Sequence, residues 1–249
     1  YGLVGSEMCI RDSYYIYATL TEMIKPRLDS LNQRIASAAK RAGRSPDEIK
    51  LICVTKEALL EEIKDAILSG ITDIGENRVI DALSKYKQLG GLAKKVNWHM
   101  IGHLQTNKVN KCLQIFKSIH SVDSDRLAEA IDKRSALLNR KTDILVEINV
   151  SREASKYGVS LDEAISILRP ISLLNNINII GLMTMAPFTE NPETSRPYFK
   201  RLRELKEEIS NDMPDLSLNH LSMGTTQDFE VAIEEGATMV RVGSAIFKK

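Results

Sequence analysis

Long apolar runs are missing from this sequence: across 249 residues nothing approaches the ~18 consecutive apolar residues that a membrane-spanning helix requires. Cysteine is scarce. Cys9, Cys53 and Cys112 are widely scattered with no Cys-x-x-Cys pair, which argues against a disulfide framework or a zinc site and fits a reducing cytoplasm. Charge of one sign is also lacking: 34 Lys and Arg against 33 Asp and Glu leave a net charge of +1 and no electrostatic reason to expect nucleic acid. The amino end has neither the basic start nor the apolar centre of a secretory signal. Nor is there a long polar tract to serve as a linker, so a chain that is 43% hydrophobic reads as one large domain with a substantial core.

The first residues form a separate case. "EMCIRDS" looks like a translated sequencing-adaptor end, so residues 1–22 are expected to be a non-native or disordered leader and residues 23–249 the folded domain. From Met23 an amphipathic helix is expected, because Leu28, Leu31, Ile35, Ala38 and Ala39 recur at helical spacing up to Gly43.

Beyond residue 50 short β-rich runs alternate with helical patterns. Strands are expected at 50–55, 71–75, 96–102, 117–122, 143–149, 178–185, 216–222 and 238–243. Helices are expected between them, among them "ALLEEIKDAILSG", "DSDRLAEAIDKRSALLN", "SLDEAISILRPISLL" and "RPYFKRLRELKEEISND", the last an amphipathic helix with Tyr198, Leu202 and Leu205 on one stripe. Eight strand-helix units predict a single-domain (β/α)8 TIM barrel, with an open doubly wound sheet as the alternative that pattern alone leaves standing.

A barrel collects its chemistry on the loops that follow the carboxyl ends of its strands. Those positions hold Lys56, Gly75 to Asn77, His99 to His103, Ser121 and Asp123, Asn149 and Ser151, "MTMAP", "LSMGTTQDF" and "VRVGSAIF". The last two ends are glycine-rich and hydroxyl-rich. Gly224 and Gly243 let backbone N–H groups approach an anion, Thr225, Thr226 and Ser244 add hydroxyl donors, and "TTQDFEVAIEEG" reads as a helix whose amino end would face the same place. Together they suggest a phosphate site, although a Gly-Thr-Thr before a helix is also an ordinary turn and cap. Lys56 has two readings as well: a lysine reaching water, or an amine in an apolar barrel mouth acting as a nucleophile toward an aldehyde. An aldehyde that carries a phosphate would satisfy both features, and pyridoxal phosphate and sugar phosphates are such molecules.

The ordered set "LICVTK", "IGENRV", "WHMIGHLQTNK", "EINVSREASKYGV", "GLMTMAP" and "LSMGTTQDFEVAIEEGATMVRVGSAIF" resembles the pyridoxal phosphate homeostasis protein family, single-domain relatives of the alanine racemase N-terminal barrel. The resemblance spans about residues 23–247. It implies an internal aldimine (Schiff base) between Lys56 and pyridoxal 5'-phosphate. Similarly, it implies phosphate contacts from Gly224, Thr226, Gly243 and Ser244, Ser222 among the cofactor-binding residues, and Arg241 facing the pyridine nitrogen. Asn77 and His99 match positions near the cofactor, where a loop-capping Asn and a satisfied structural His are equally open readings. Lys156 matches a lysine at the barrel mouth that contacts ligand or faces water. An arginine opposite the pyridine nitrogen donates a hydrogen bond without readily giving up its proton, which leaves the ring a weak electron sink.

No metal is expected, since His99 and His103 lie in a strand-and-turn pattern, and His120 and His220 read as isolated. Two departures from the family pattern stand out: Thr225-Thr226 replaces the usual Met-Ser after "LSMG", and the chain stops at "IFKK", which suggests an assembled gene fragment. Two functions remain open. One is a cytoplasmic protein that holds pyridoxal phosphate on Lys56 for vitamin B6 homeostasis, as a monomer without robust catalysis, with PLP-dependent apo-enzymes as partners and neither nucleic acid nor membrane. The other is a racemase-like enzyme, disfavoured because the second acid/base of a racemase comes from a further domain. A sugar-phosphate lyase is a weaker third reading.

Overall fold

The computed structural model describes residues 6–153 and 156–247, with side chains from Ile24 onward. Eight parallel strands form its centre: β1 (Lys50–Val54), β2 (Asp73–Glu76), β3 (Asn97–Met100), β4 (Phe116–Val122), β5 (Thr142–Asn149), then, after the two-residue β6 (Val159–Ser160), β7 (Ile177–Met183), β8 (His220–Ser222) and β9 (Met239–Val242). β1 pairs with both β2 and β9, and β4 pairs with both β3 and β5, so the sheet closes on itself into a barrel. β6 adds to β5 outside the ring, through Ile148 and Asn149. The expected (β/α)8 barrel is therefore present, and the open sheet is excluded by the closing pairs.

Helices cover the outside: α1 (Ser6–Arg41), α2 (Leu60–Leu68), α3 (Val79–Leu89), α4 (Val109–Cys112), α5 (Asp125–Leu137), α6 (Ala164–Ser172), α7 (Arg196–Asp212), α8 (Phe229–Glu234) and α9 (Ser244–Phe247). α7 shows why such helices form. Phe199, Leu202, Leu205 and Ile209 recur at helical spacing, all are buried, and each removes enough apolar surface to contribute about 1.5–3 kcal/mol. α1 follows the same rule with Leu28, Leu31, Ile35, Ala38 and Ala39 on its buried stripe. Of the leader expected over residues 1–22, residues 1–5 lie outside the described residues, and only helical backbone is described from Ser6 onward.

Strand alternation sends side chains by turns outward to the helices and inward to the barrel axis. The outward set builds the main core, with Cys53, Ile74, Trp98, Ile119 and Val146 among its buried members. Inward, Ile52, Leu145, Met183 and Met239 form a separate small apolar cluster.

Two expected elements differ. The strand read over 216–222 forms a ladder only at His220–Ser222; Leu216 and Leu218 pack into the outer core without a strand partner. The helix read from Thr225 begins only at Phe229, because the Asp228 carboxylate accepts hydrogen bonds from the Thr225 N–H (2.6 Å) and hydroxyl (3.0 Å) and holds residues 225–228 as a turn.

Candidate functional site

β1 delivers Lys56 to the barrel mouth, two residues beyond Val54 and in phase with inward-facing Ile52. Its side chain is 51% exposed and lies 3.5 Å from Glu57, so its stem is not enclosed in an apolar mouth as the nucleophile reading supposed. The backbone leading to it is held firmly. Thr55 donates its hydroxyl to Glu76 Oε1 (2.6 Å), and Lys85 Nζ donates to both the Thr55 carbonyl (2.6 Å) and Glu76 Oε1 (2.7 Å). That buried triad ties the end of β1 to β2 and α3.

β1 runs beside β9, with Cys53 opposite Val242, and a Cβ placed on Gly243 would sit 2.9 Å from the Val54 carbonyl oxygen. The loop after β9 therefore adjoins the segment leading to Lys56, and only a glycine fits there. The loops after β8 and β9 also meet: the Gly243 N–H donates to Thr226 Oγ1 at 3.3 Å. Gly224 has φ +90°, and a Cβ there would approach Ala232 Cβ to 2.6 Å, so its glycine is required by the backbone and by packing against α8. The backbone N–H groups of Thr226 and Ser244 donate to no acceptor among the described residues. The expected helix amino end is corrected: α8 starts after the turn, and Asp228 has already taken the Thr225 donors.

Arg241 on β9 is buried beneath these loops. Its Nη1 donates to the Ser222 carbonyl and hydroxyl, both at 2.6 Å, and its Nη2 to the Thr184 carbonyl (2.8 Å) beside Met185 Sδ. Burial pulls the guanidinium down to about 10, still charged at neutral pH. Glu147, inward-facing on β5, is pushed up to about 7 by burial, with Arg241 opposing that rise and Asp123 adding to it. Glu147 lines a cavity of about 210 Å³ with Ile148, Asn149, Lys156, Tyr157 and Met185. Lys156 Nζ is buried in it without a hydrogen bond among the described residues, 3.2 Å from a Glu153 carboxylate oxygen.

The other two expected site residues lie just after β2 and on β3. Asn77 is exposed after β2, its backbone packed against Gly102. His99 lies inside the barrel, 3% exposed, with its Nε2 2.8 Å from Asp73 Oδ1 and its Nδ1 2.7 Å from Ser118 Oγ. Its four-apart partner His103 faces Asp123 at 3.3 Å and stacks on Tyr157. The reading of His120 as isolated is overturned: it is fully buried, with Nδ1 3.0 Å from Ser222 Oγ and Nε2 3.1 Å from Ser118 Oγ. Burial pushes it well below its usual value, and His99 and Arg241 push in the same direction. Sequence reasoning missed His120, Ser118, Asp73, Lys85 and Glu147. The alternation Ser118-x-His120 on one inward face was the available signal for the first two.

The described helices include none long and apolar enough to cross a membrane. The family model for the alanine racemase N-terminal domain matches residues 27–249. A protein from Aquifex aeolicus named pyridoxal phosphate homeostasis protein is 43% identical over 221 residues, 89% of this chain and 96% of its own. Among solved structures, an unknown protein from Bifidobacterium adolescentis superposes with a TM-score of 0.86 at 35% identity, covering 92% of this chain and 96% of its own. PipY of Synechococcus elongatus, solved with PLP bound, superposes with a TM-score of 0.79 at 33% identity, covering 90% of this chain and 99% of its own.

Proposed function

Because the chain belongs to the pyridoxal phosphate homeostasis protein family, built on the alanine racemase N-terminal barrel, we propose that it binds pyridoxal 5'-phosphate and serves the homeostasis of that cofactor rather than turning over a substrate. One arrangement supports the reading: β1, which leads to Lys56, runs beside β9, and the loop after β9 is hydrogen-bonded to the loop after β8 above the buried Arg241 guanidinium. The residues present fit such a group. Thr226 and Ser244 have main-chain N–H groups without acceptors among the described residues, and both Nη atoms of Arg241 are engaged while its Nε makes no hydrogen bond to them.

Bound pyridoxal phosphate supplies a reactive aldehyde and an electron-accepting ring. Lys56 supplies the amine for that aldehyde, and its exposed side chain leaves it accessible to an incoming cofactor. Gly224, Thr226, Gly243 and Ser244 supply phosphate donors, with Ser222 supporting from below. Arg241 would face the pyridine nitrogen as a donor that keeps its proton, which would leave carbanion chemistry weak. Asn77 and Lys156 border the mouth. His99 acts from the interior. The same reading has a cytoplasmic monomer passing cofactor to apo-enzymes.

A second reading, a racemase-like enzyme, draws on Glu147, because a mouth carboxyl near pH 7 can exchange a proton with a ligand. The test begins with purified protein incubated with pyridoxal phosphate and freed of excess. Wild type is expected to turn yellow and Lys56→Ala to stay colourless. A colourless wild type overturns the binding reading, and sustained racemisation of an amino acid replaces it with the second.

A further inference from the structure

The barrel interior contains an unbroken row of polar side chains: Asp73 on β2, His99 on β3, Ser118 and His120 on β4, Ser222 on β8 and Arg241 on β9. It runs from the amino ends of the strands, where Asp73 also meets Lys50 at 3.7 Å, to the floor of the mouth.

The direction of each hydrogen bond follows from donor chemistry, starting at either end. A guanidinium only donates, so Ser222 Oγ accepts from Arg241, and its own hydrogen is assigned to the other side-chain nitrogen within reach, His120 Nδ1 at 3.0 Å. The proton of a neutral His120 then sits on Nε2, facing Ser118 Oγ at 3.1 Å. From the far end, the Asp73 carboxylate only accepts, so His99 carries a proton on Nε2. A neutral His99 then accepts at Nδ1, from the Ser118 hydroxyl at 2.7 Å. The two assignments meet at Ser118, which accepts from His120 and donates to His99, with no donor left facing a donor.

We propose that this row is a one-way hydrogen-bond chain from a buried cation to a buried carboxylate, in which Ser222 donates to His120 Nδ1, Ser118 donates to His99 Nδ1 and both imidazoles carry a proton on Nε2, and that Asp73 and His120 are positioning residues which immobilise the Arg241 guanidinium through Ser222. The significance of that immobilised group for cofactor binding rests on the function proposed above; the chain and the immobilisation do not.

The chain is tested in cofactor-free protein. With four histidines in the sequence, the two-bond nitrogen-proton imidazole spectrum is readily assigned. His99 and His120 are expected to show the Nε2–H pattern. An Nδ1–H or doubly protonated pattern at either residue overturns the proposal. Asp73→Asn replaces an acceptor-only carboxylate by an amide that can also donate, so His99 is no longer held to Nε2–H and is expected to gain Nδ1–H tautomer, and the Arg241 guanidinium hydrogens to exchange roughly tenfold faster, the scale of coupling within one hydrogen-bond network. His120→Gln should give the same acceleration at Arg241. Unchanged exchange in both folded variants overturns the positioning role. Pyridoxal phosphate titration, read separately, is expected to weaken roughly fivefold in Asp73→Asn; failure of wild type to bind it removes the functional reading without altering either nitrogen signature.

Discussion

Two groups of inward-facing side chains fill the barrel on opposite rules. In one, Ile52, Leu145, Met183 and Met239 meet as a small apolar cluster, the usual filling for a barrel of this kind. In the other, His99, Ser118, His120 and Ser222 form a hydrogen-bonded row ending on Asp73 and Arg241. Apolar packing is non-directional and tolerates small shifts. A hydrogen-bonded row fixes the orientation of each member, at the risk that any lost partner strands its neighbours. The ordered group ends at the mouth, beneath the loops that surround Lys56. Orientation is thus invested where a ligand would need it, and cohesion where none reaches.

Breaking the apolar group should cost the most. Ile52→Ala leaves a cavity among three well-packed partners and is expected to lower unfolding free energy by about 2–5 kcal/mol in urea titrations. In the polar row, His120→Leu is expected to cost about 1–3 kcal/mol, because Ser118 and Ser222 are left with buried, unsatisfied groups. The costs differ in kind. Replacing His99, Ser118 and His120 together by apolar residues should recover much of the second loss, since no partner is then stranded, and no such rescue applies to Ile52. A triple variant less stable than His120→Leu would contradict the distinction.

Glu147 sharpens the same contrast through pH. Its carboxyl titrates near 4.5 when unfolded and is pushed up to about 7 by burial in the folded protein. Between those values the folded state binds more protons, so Glu147 favours folding at low pH, and this contribution is lost as pH rises through the folded value, by up to about 3 kcal/mol. His120 acts in the opposite sense, since its depressed value makes folding less favourable as pH falls below 6.5. Glu147→Gln removes only the first effect. Urea titrations from about pH 5 to 8 should show stability of the variant, relative to wild type, climbing with pH. A flat difference would mean that the Glu147 carboxylate is better solvated than its burial implies.

The apolar group and the polar row were not equally legible in the sequence. Eight strand-helix units were readable from alternation, and α7 from the spacing of its buried stripe, because local periodicity reports which face is covered. The mouth positions followed from the barrel rule once the strand ends were placed. The polar row was hidden because its members come from β2, β3, β4, β8 and β9, and only the closing registers bring them together. His120 looked solitary because its partner Ser222 is 102 residues away. The late start of α8 was hidden differently, since Asp228 capturing the Thr225 donors competes locally with the helix that propensity favours.

Lys56 lies outside both interior groups and should show the smallest effect on folding. Its side chain is half exposed, and its ion pair with Glu57 is solvent-screened, so Lys56→Ala is expected to change stability by no more than about 0.5 kcal/mol. The anchoring of its backbone comes from Thr55, Glu76 and Lys85, none of which the substitution touches. The same variant should nonetheless lose the yellow colour acquired with pyridoxal phosphate, because no other amine stands at the end of β1. Lys85→Met supplies the converse. It leaves Lys56 in place but strands the buried Glu76 carboxylate, and is expected to lower stability by about 3 kcal/mol while colour still develops at saturating cofactor. If Lys56→Ala unfolds the protein, or Lys85→Met abolishes colour while remaining folded, then support and chemistry at the mouth are not divided between these two lysines.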